Sequence, residues 1–325
     1  MTRRTVEVTG PTSNATLLAR GVARAARAAT GGGSVDGLPD LVLVRRGVGV
    51  DPDRLTAYQQ LVGETVADTV PAGFSHTLVF ELHRAMLARR DFPLPALGMV
   101  HVANRVEQLR AVGVGEVLDA RLHAERLAPH RRGATVDLVG ELAVDGDVVW
   151  RGVSTYLAKG ARLPDASDTA ATDTAATDGG RPDWAAPEPT GRWQLGADVG
   201  RRYAEVSGDH NPIHTSRLAA RAFGFARPIA HGMYTAARLL AEVGPARGDA
   251  YAWEVAFATP VLLPATVSVR VVPDGSGEHS AGPSAGPGAG PGPGPSAGPG
   301  AGPAGFTLAA WSRKPHLTGS VRPLT

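Results

Sequence analysis

The chain has no cysteine. That excludes disulfides, cysteine-ligated zinc and thiol nucleophiles, and it fits a reducing compartment. Charge of one sign is also missing. Net charge is only +2, and the sequence pI near 9.2 reflects arginines spread along the chain, not a basic patch. No nucleic-acid partner is expected from such a pattern. No apolar run approaches the roughly 20 residues of a membrane span. The N-terminal MTRRTVEVTG has a basic start without the apolar core of a signal peptide, so a cytoplasmic protein without a membrane partner is expected. There is no HExxH zinc motif and no GxGxxG dinucleotide fingerprint.

What is present is an ordinary globular composition, 43% hydrophobic over 325 residues, enough for two domains with their own cores. Residues 14–29 have helical spacing, with Asn14 placed to cap. LVLVRRGVGV at 41–50 reads as a strand. Asp51-Pro52-Asp53 fits a helix N-terminus, with Leu55, Tyr58 and Leu61 on one face. Around 76–90 comes a helix too apolar for a surface element, with Val79, Leu82 and Met86 at helical spacing. Four strand-like segments follow Pro95, separated by short turns such as Asp145-Gly146-Asp147. A sheet wrapped around one apolar helix is an α+β pattern.

Residues 161–190 are rich in Ala, Thr, Asp, Gly and Pro and read as a disordered linker. The second half then repeats the order of the first. A helix is expected near 196–206, then a polar turn, a short loop rich in Ala, Phe and Gly, and an apolar helix over 231–243. Strands are expected at 251–259, 265–272, 306–313 and 317–322. Between them a Gly-Pro-rich stretch over 275–305 lacks a triplet period and reads as a disordered loop. A shift of 145 places Tyr58, Gly63 and Glu64 on Tyr203, Gly208 and Asp209, and Thr69 on His214. The halves look like copies of one module, of which only the second keeps a polar constellation.

That constellation is SGDHNPIH at 207–214. Pro212 biases Asn211 away from helical angles, so the chain turns between Asp209 and His214. Asn211 can stabilise the turn through its own side chain. A carboxylate and a neutral imidazole aimed at one point are the usual parts for moving protons near neutral pH. A solvated turn, with Asp209 capping, satisfies the same spacing. So does a metal site using His210, His214 and His231, although Pro212 interrupts the i, i+4 helix it needs. His231-Gly232 opens the apolar helix. A helix start offers free N–H groups, and glycine lets a ligand approach them, which suits a polarised carbonyl oxygen. His231 acting as a plain cap is the competing reading.

SGDHNPIH, then ARAFGF, then IAHGM closely resemble the hydratase 2 motif of MaoC-like hot-dog proteins, the (R)-specific enoyl-CoA hydratases and 3-hydroxyacyl-thioester dehydratases. Segments LGMVHVANRVEQ, HRRGATVDLV, FATPVLLPATV and KPHLTG are similar to the double-hot-dog members of actinobacteria. The long Gly-Pro insert departs from their compact hairpin. The resemblance implies two tandem hot-dog domains in an α+β fold, each an antiparallel sheet around a central helix, forming a pseudo-dimer within one chain. A degenerate domain would span 1–160 and a catalytic one 191–325, joined by the linker. The sheets would meet edge to edge.

The resemblance also implies roles. Asp209 and His214 would activate one water for addition to C3 of a trans-2-enoyl thioester. The Gly232 N–H would bind the thioester oxygen, and Asn211 would support the loop. Apart from the resemblance, Arg313 and Lys314 are candidate contacts for the phosphates of a CoA tail, with ordinary surface charge as the competing reading. The substrate would be an acyl-CoA or acyl carrier protein thioester, with no metal and no cofactor, and the chain could pair as a homodimer. The first half would be lid and scaffold, with His76, His83 and His101 packed or solvated and not catalytic, and could open a tunnel for a long acyl chain. A hot-dog thioesterase and a non-catalytic acyl-thioester binder remain as alternatives.

Overall fold

A computed structural model of the chain describes residues 3–10, 37–95, 98–163, 184–274 and 305–324. The expected helix at 14–29, most of the 161–190 linker and nearly all of the 275–305 stretch lie outside them. Eleven strands form one sheet in the order β1-β2-β4-β5-β6-β3-β8-β11-β10-β9-β7. In the first half these are β1 (Arg4–Glu7), β2 (Leu41–Val48), β3 (Met99–Gln108), β4 (Leu118–His130), β5 (Gly133–Val144) and β6 (Asp147–Lys159). In the second they are β7 (Gly191–Leu195), β8 (Tyr251–Phe257), β9 (Ala265–Pro273), β10 (Phe306–Trp311) and β11 (Pro315–Pro323).

The order explains the repeat. Outward from the middle, β3-β6-β5-β4-β2 in one half answers β8-β11-β10-β9-β7 in the other. The halves join where β3 runs antiparallel to β8, Val106 opposite Trp253 and Ala103 opposite Ala256. Two edges that would otherwise present unpaired N–H and C=O groups satisfy each other there. This is the expected double hot dog. Strands β1 and β7 were not anticipated. Strand β1 pairs parallel to β2, outside the repeat.

Six helices complete the described chain: α1 (Pro52–Val62), α2 (Ala72–Leu87), α3 (Val199–Ser207), α4 (Pro212–Thr215), α5 (Arg217–Ala222) and α6 (Gly232–Ala241). Helix α1 starts as its sequence requires, the Asp51 carboxylate accepting from the N–H groups of Asp53 and Arg54. Helix α2 begins one turn earlier than its apolar spacing suggested, directly after Pro71. It and α6 are the central helices, buried against β4 and β5 and against β10 and β11 respectively. One continuous apolar core runs through both halves. Gly63 after α1 and Gly208 after α3 both adopt left-handed φ, 79° and 78°. The residue that follows each glycine, Glu64 or Asp209, is therefore launched in the same direction. Among the described residues no helix is long and apolar enough to cross a membrane.

Candidate active site

The second half places its polar residues on three consecutive pieces of backbone. Gly208 ends α3, Asn211 caps α4, and His231 precedes α6. The turn is stitched by its own side chains. The Asp209 N–H donates to Ser207 Oγ at 3.1 Å, the Asn211 N–H to Asp209 Oδ1 at 3.2 Å, and the Ile213 N–H to Asn211 Oδ1 at 3.3 Å. Asn211 therefore supports the loop, as its residue type suggested. The segment expected as an Ala-, Phe- and Gly-rich loop contains helix α5, capped by Ser216 Oγ on the Ala219 N–H.

His214 is buried, and its Nδ1 lies 2.8 Å from the Ile229 carbonyl oxygen. A carbonyl only accepts, so Nδ1 carries the proton and Nε2 keeps its lone pair. His231 is set the same way. Its Nε2 donates to the Asp209 backbone oxygen at 2.9 Å and lies 3.8 Å from Asp209 Oδ2. The two imidazoles stack with centroids 3.6 Å apart. His231 thus does more than cap α6: it holds the polar turn across 22 positions of sequence. Nothing local in the sequence could have revealed that contact.

The charge states follow from the surroundings. Burial pulls the His214 pKa below the ordinary histidine value, only partly opposed by Asp209 and the Ile229 carbonyl. Burial, with His214 alongside, takes His231 to about 3. For Asp209, burial pushes upward, but His231, His214, the Asn211 N–H and Arg84 outweigh it and leave the carboxyl below its usual range. At neutral pH the site holds one carboxylate and two neutral imidazoles. Each of the three offers an atom within 4.8 Å of the others', so the geometry also admits a cation on Asp209, His214 and His231. His210, part of the sequence-derived metal alternative, is exposed and outside this trio.

Gly232 stands at the first position of α6, where its N–H has no acceptor within the helix. A Cβ there would lie 3.0 Å from Phe257 Cε1, so a side chain fits only if that ring gives way by a few tenths of an ångström. The turn is also gripped from the first half. Arg54 Nε donates to the Val206 carbonyl at 2.7 Å, and Arg84 Nη1 to the Gly208 carbonyl at 3.4 Å.

Comparison with known proteins bears on this arrangement. The family model described as MaoC like domain matches residues 187–283. The 3-hydroxyacyl-thioester dehydratase X of Mycobacterium tuberculosis is 36% identical over 242 residues, 74% of this chain and 83% of that one. The chain belongs to the MaoC-like family. The crystal structure of the same mycobacterial protein superposes with TM-score 0.67 at 32% identity, covering 87% of this chain and 100% of that one. A 3-hydroxybutyryl-CoA dehydratase of Methylorubrum extorquens is 40% identical over 73 residues, 21% of this chain and 46% of that one. A MaoC-like dehydratase of Phytophthora capsici, 15% identical, shares the fold at TM-score 0.61 over 87% of this chain and 95% of that one.

Among the described residues of this MaoC-like chain, the first half has no group like Asp209, His214 and His231. Glu64, the counterpart of Asp209, is spent on Arg247 at 2.9 Å, in a pair whose side chains are only 7% and 14% exposed. Thr69, which the sequence shift placed on His214, bridges to Gly113 just ahead of α2 as Ile229 bridges to Leu262 just ahead of α6, so it answers Ile229 and not His214. Arg313 and Lys314 are exposed on the turn between β10 and β11. That turn lies at the Phe257 end of the sheet, since Leu317 is the register partner of Phe257.

Proposed function

We propose that the chain reversibly hydrates trans-2-enoyl thioesters to (3R)-3-hydroxyacyl thioesters, as a hydro-lyase of fatty acid metabolism. The observation that carries this is the locked tautomer of His214. Its Nδ1–H is committed to Ile229, so a basic Nε2 is presented beside the ionised Asp209. The pair holds one water between them. His214 Nε2 takes a proton as the oxygen adds to C3 of the enoyl group. Negative charge develops on the thioester oxygen and is met by the Gly232 N–H at the positive end of α6. The proton is then delivered to C2, and the reverse sequence dehydrates the 3-hydroxyacyl thioester. His231 and Asn211 position the turn and touch no substrate.

The substrate class agrees with the names of two relatives, a 3-hydroxyacyl-thioester dehydratase and a 3-hydroxybutyryl-CoA dehydratase. We assign the carrier, CoA or an acyl carrier protein, to the entrance near the β10–β11 turn, where Arg313 and Lys314 would meet its phosphates. Residues 191–325 supply the chemistry and residues 1–160 the scaffold. The first half already occupies the neighbouring surface, so a second copy of the chain is not required to complete the site. We place the enzyme in the cytoplasm, since the cysteine-free composition fits a reducing compartment.

The test is to follow the enoyl absorbance of crotonyl-CoA and a longer trans-2-enoyl-CoA, with a thiol reagent present. The proposal expects loss of the enoyl band and a (3R)-hydroxyacyl product without free CoA. Release of CoA with the double bond intact would mark a thioesterase instead, and no reaction of folded protein with any chain length would end the catalytic reading.

A further inference from the structure

Helix α2 carries an anomaly. It is the central helix of the non-catalytic half and should need only apolar contacts, yet His76 and His83 are 4% and 1% exposed on it. They face the inner side of β3 and β6. His76 stacks on His101 at 6.1 Å, His101 on Tyr156 at 4.8 Å, and His83 Nδ1 lies 3.3 Å from the Tyr156 hydroxyl. An irregularity in β3 between His101 and Ala103 brings His101 and Asn104 to the same side as Ser154 and Tyr156. Asn104 and Ser154, 2% and 1% exposed, share one hydrogen bond of 2.9 Å.

The set is not self-sufficient. Among the described residues, His76 Nδ1, His101 Nε2 and Asn104 Nδ2 are enclosed without a hydrogen-bond partner. Each such atom has given up its water without gaining a partner, which destabilises a folded interior. An apolar helix face would have avoided that cost, so the arrangement needs a reason.

Its location supplies one. The His101 ring sits 5.0 Å from that of Phe257, which in turn packs against the Gly232 backbone. The Asp209 carboxylate acts electrostatically on His76, His101 and Tyr156 across the junction of the halves. An enoyl group with its thioester oxygen at Gly232 and C3 at Asp209 therefore directs the rest of its acyl chain toward this cluster. The greasy tunnel expected for a long alkyl chain is replaced there by imidazoles and an amide. Burial lowers His76 to about 4 and His101 to about 3. Both are neutral at physiological pH and suited to a neutral oxygen, not a carboxylate.

Building on the hydratase reading, we infer that the acyl chain carries a hydroxyl or carbonyl oxygen beyond C3, received by His76, His101 and Asn104 of the first half. These are specificity residues: they bind the chain's polar group and take no part in proton transfer. The first half is then a substrate-reading domain as well as a scaffold. A site built to hydrogen-bond a substrate oxygen discriminates strongly against an analogue lacking it, because its own polar atoms are left unpaired.

The experiment measures kcat/KM of the full chain with trans-2-hexenoyl-CoA and with its 5-hydroxy, 6-hydroxy and 5-oxo analogues. The expected result is at least a tenfold preference for one of the oxygenated chains. His101→Leu and Asn104→Leu should each reduce that preference, read as the ratio of the two kcat/KM values, at least threefold. A wild-type preference below tenfold for all three analogues overturns the inference, and so do variants that slow both substrate types alike. The wild-type ratio decides the matter even if a variant does not fold. Failure of the hydratase reading looks different, since no thioester of the series would then be hydrated.

Discussion

At the scale of single residues, the account rests on which nitrogen of His214 is free. With Nδ1–H fixed on Ile229, activity requires a neutral His214 and an ionised Asp209. Both pKa values lie below their ordinary positions. A histidine whose pKa is lowered stays neutral as pH falls past 6.5, so kcat/KM should hold level through that value and decline only in more acid solution. A pH–rate profile checks this, and an acid limb centred at or above pH 6.5 would contradict it. Gly232 is the second residue-scale commitment. In Gly232→Val the Cβ meets the Phe257 ring at about its present 3.0 Å, and the larger side chain covers the N–H that receives the thioester oxygen. Steady-state kinetics on the folded variant should show at least a tenfold fall in kcat, accompanied by a lower melting temperature from the crowded ring. Asp209, Asn211, His214 and Gly232 were all legible in the sequence, because glycine, proline and the capping residues dictate the local path that presents them. His231's hold on Asp209 was not, since it depends on where two distant segments meet.

Elements explain what became of the first copy of the module. Helices α1 and α3 end in the same left-handed glycine, and the acid after each was expected to correspond. Correspondence of backbone did not preserve chemistry. Glu64 reaches Arg247 in the 3₁₀ turn Gly244–Arg247 of the other half and forms a nearly buried ion pair. Removing one partner leaves an uncompensated charge, at a cost of about 3–5 kcal/mol. Glu64→Gln should therefore lower stability by a few kcal/mol in urea unfolding, while folded protein keeps a kcat within about twofold of wild type. The start of α1 followed its Asp51 cap and Pro52, whereas α2 begins a turn before its apolar spacing, directly after Pro71. Helix α5 was missed because Arg217–Ala222, three alanines and two arginines around a single exposed Leu218, carries no apolar period. Its start depends on the Ser216 cap, which only the turn before it puts in place.

For the whole molecule, the joining of β3 to β8 turns two modules into one sheet and one core, so the halves should unfold together. Three buried histidines add a pH dependence to that transition. His76, His101 and His231 sit at about 4, 3 and 3 when folded, against 6.5 when exposed. Below 6.5 the unfolded chain takes up protons that the folded chain refuses, so stability present above that pH is lost as it falls. The loss is on the order of 1 kcal/mol per histidine over the first pH unit. Thermal melts should show the midpoint dropping steadily from pH 6.5 to 4.5, and a midpoint that rises over that interval would show these rings to be charged in the native state. The duplicated order of elements was readable from strand and helix periodicity. The junction itself was not, because edge pairing is made by backbone groups common to every residue.

The claim at the centre of the account is that one copy of the module does the chemistry and the other does not. The direct measurement is kcat/KM for crotonyl-CoA hydration by the wild type, Asp209→Asn, His214→Ala and Glu64→Gln, each shown to be folded. The account predicts a loss of roughly 10²–10⁴ for the first two variants and a near-wild-type rate for the third. An Asp209→Asn protein that hydrates at the wild-type rate, or a Glu64→Gln protein that is folded and dead, would contradict it.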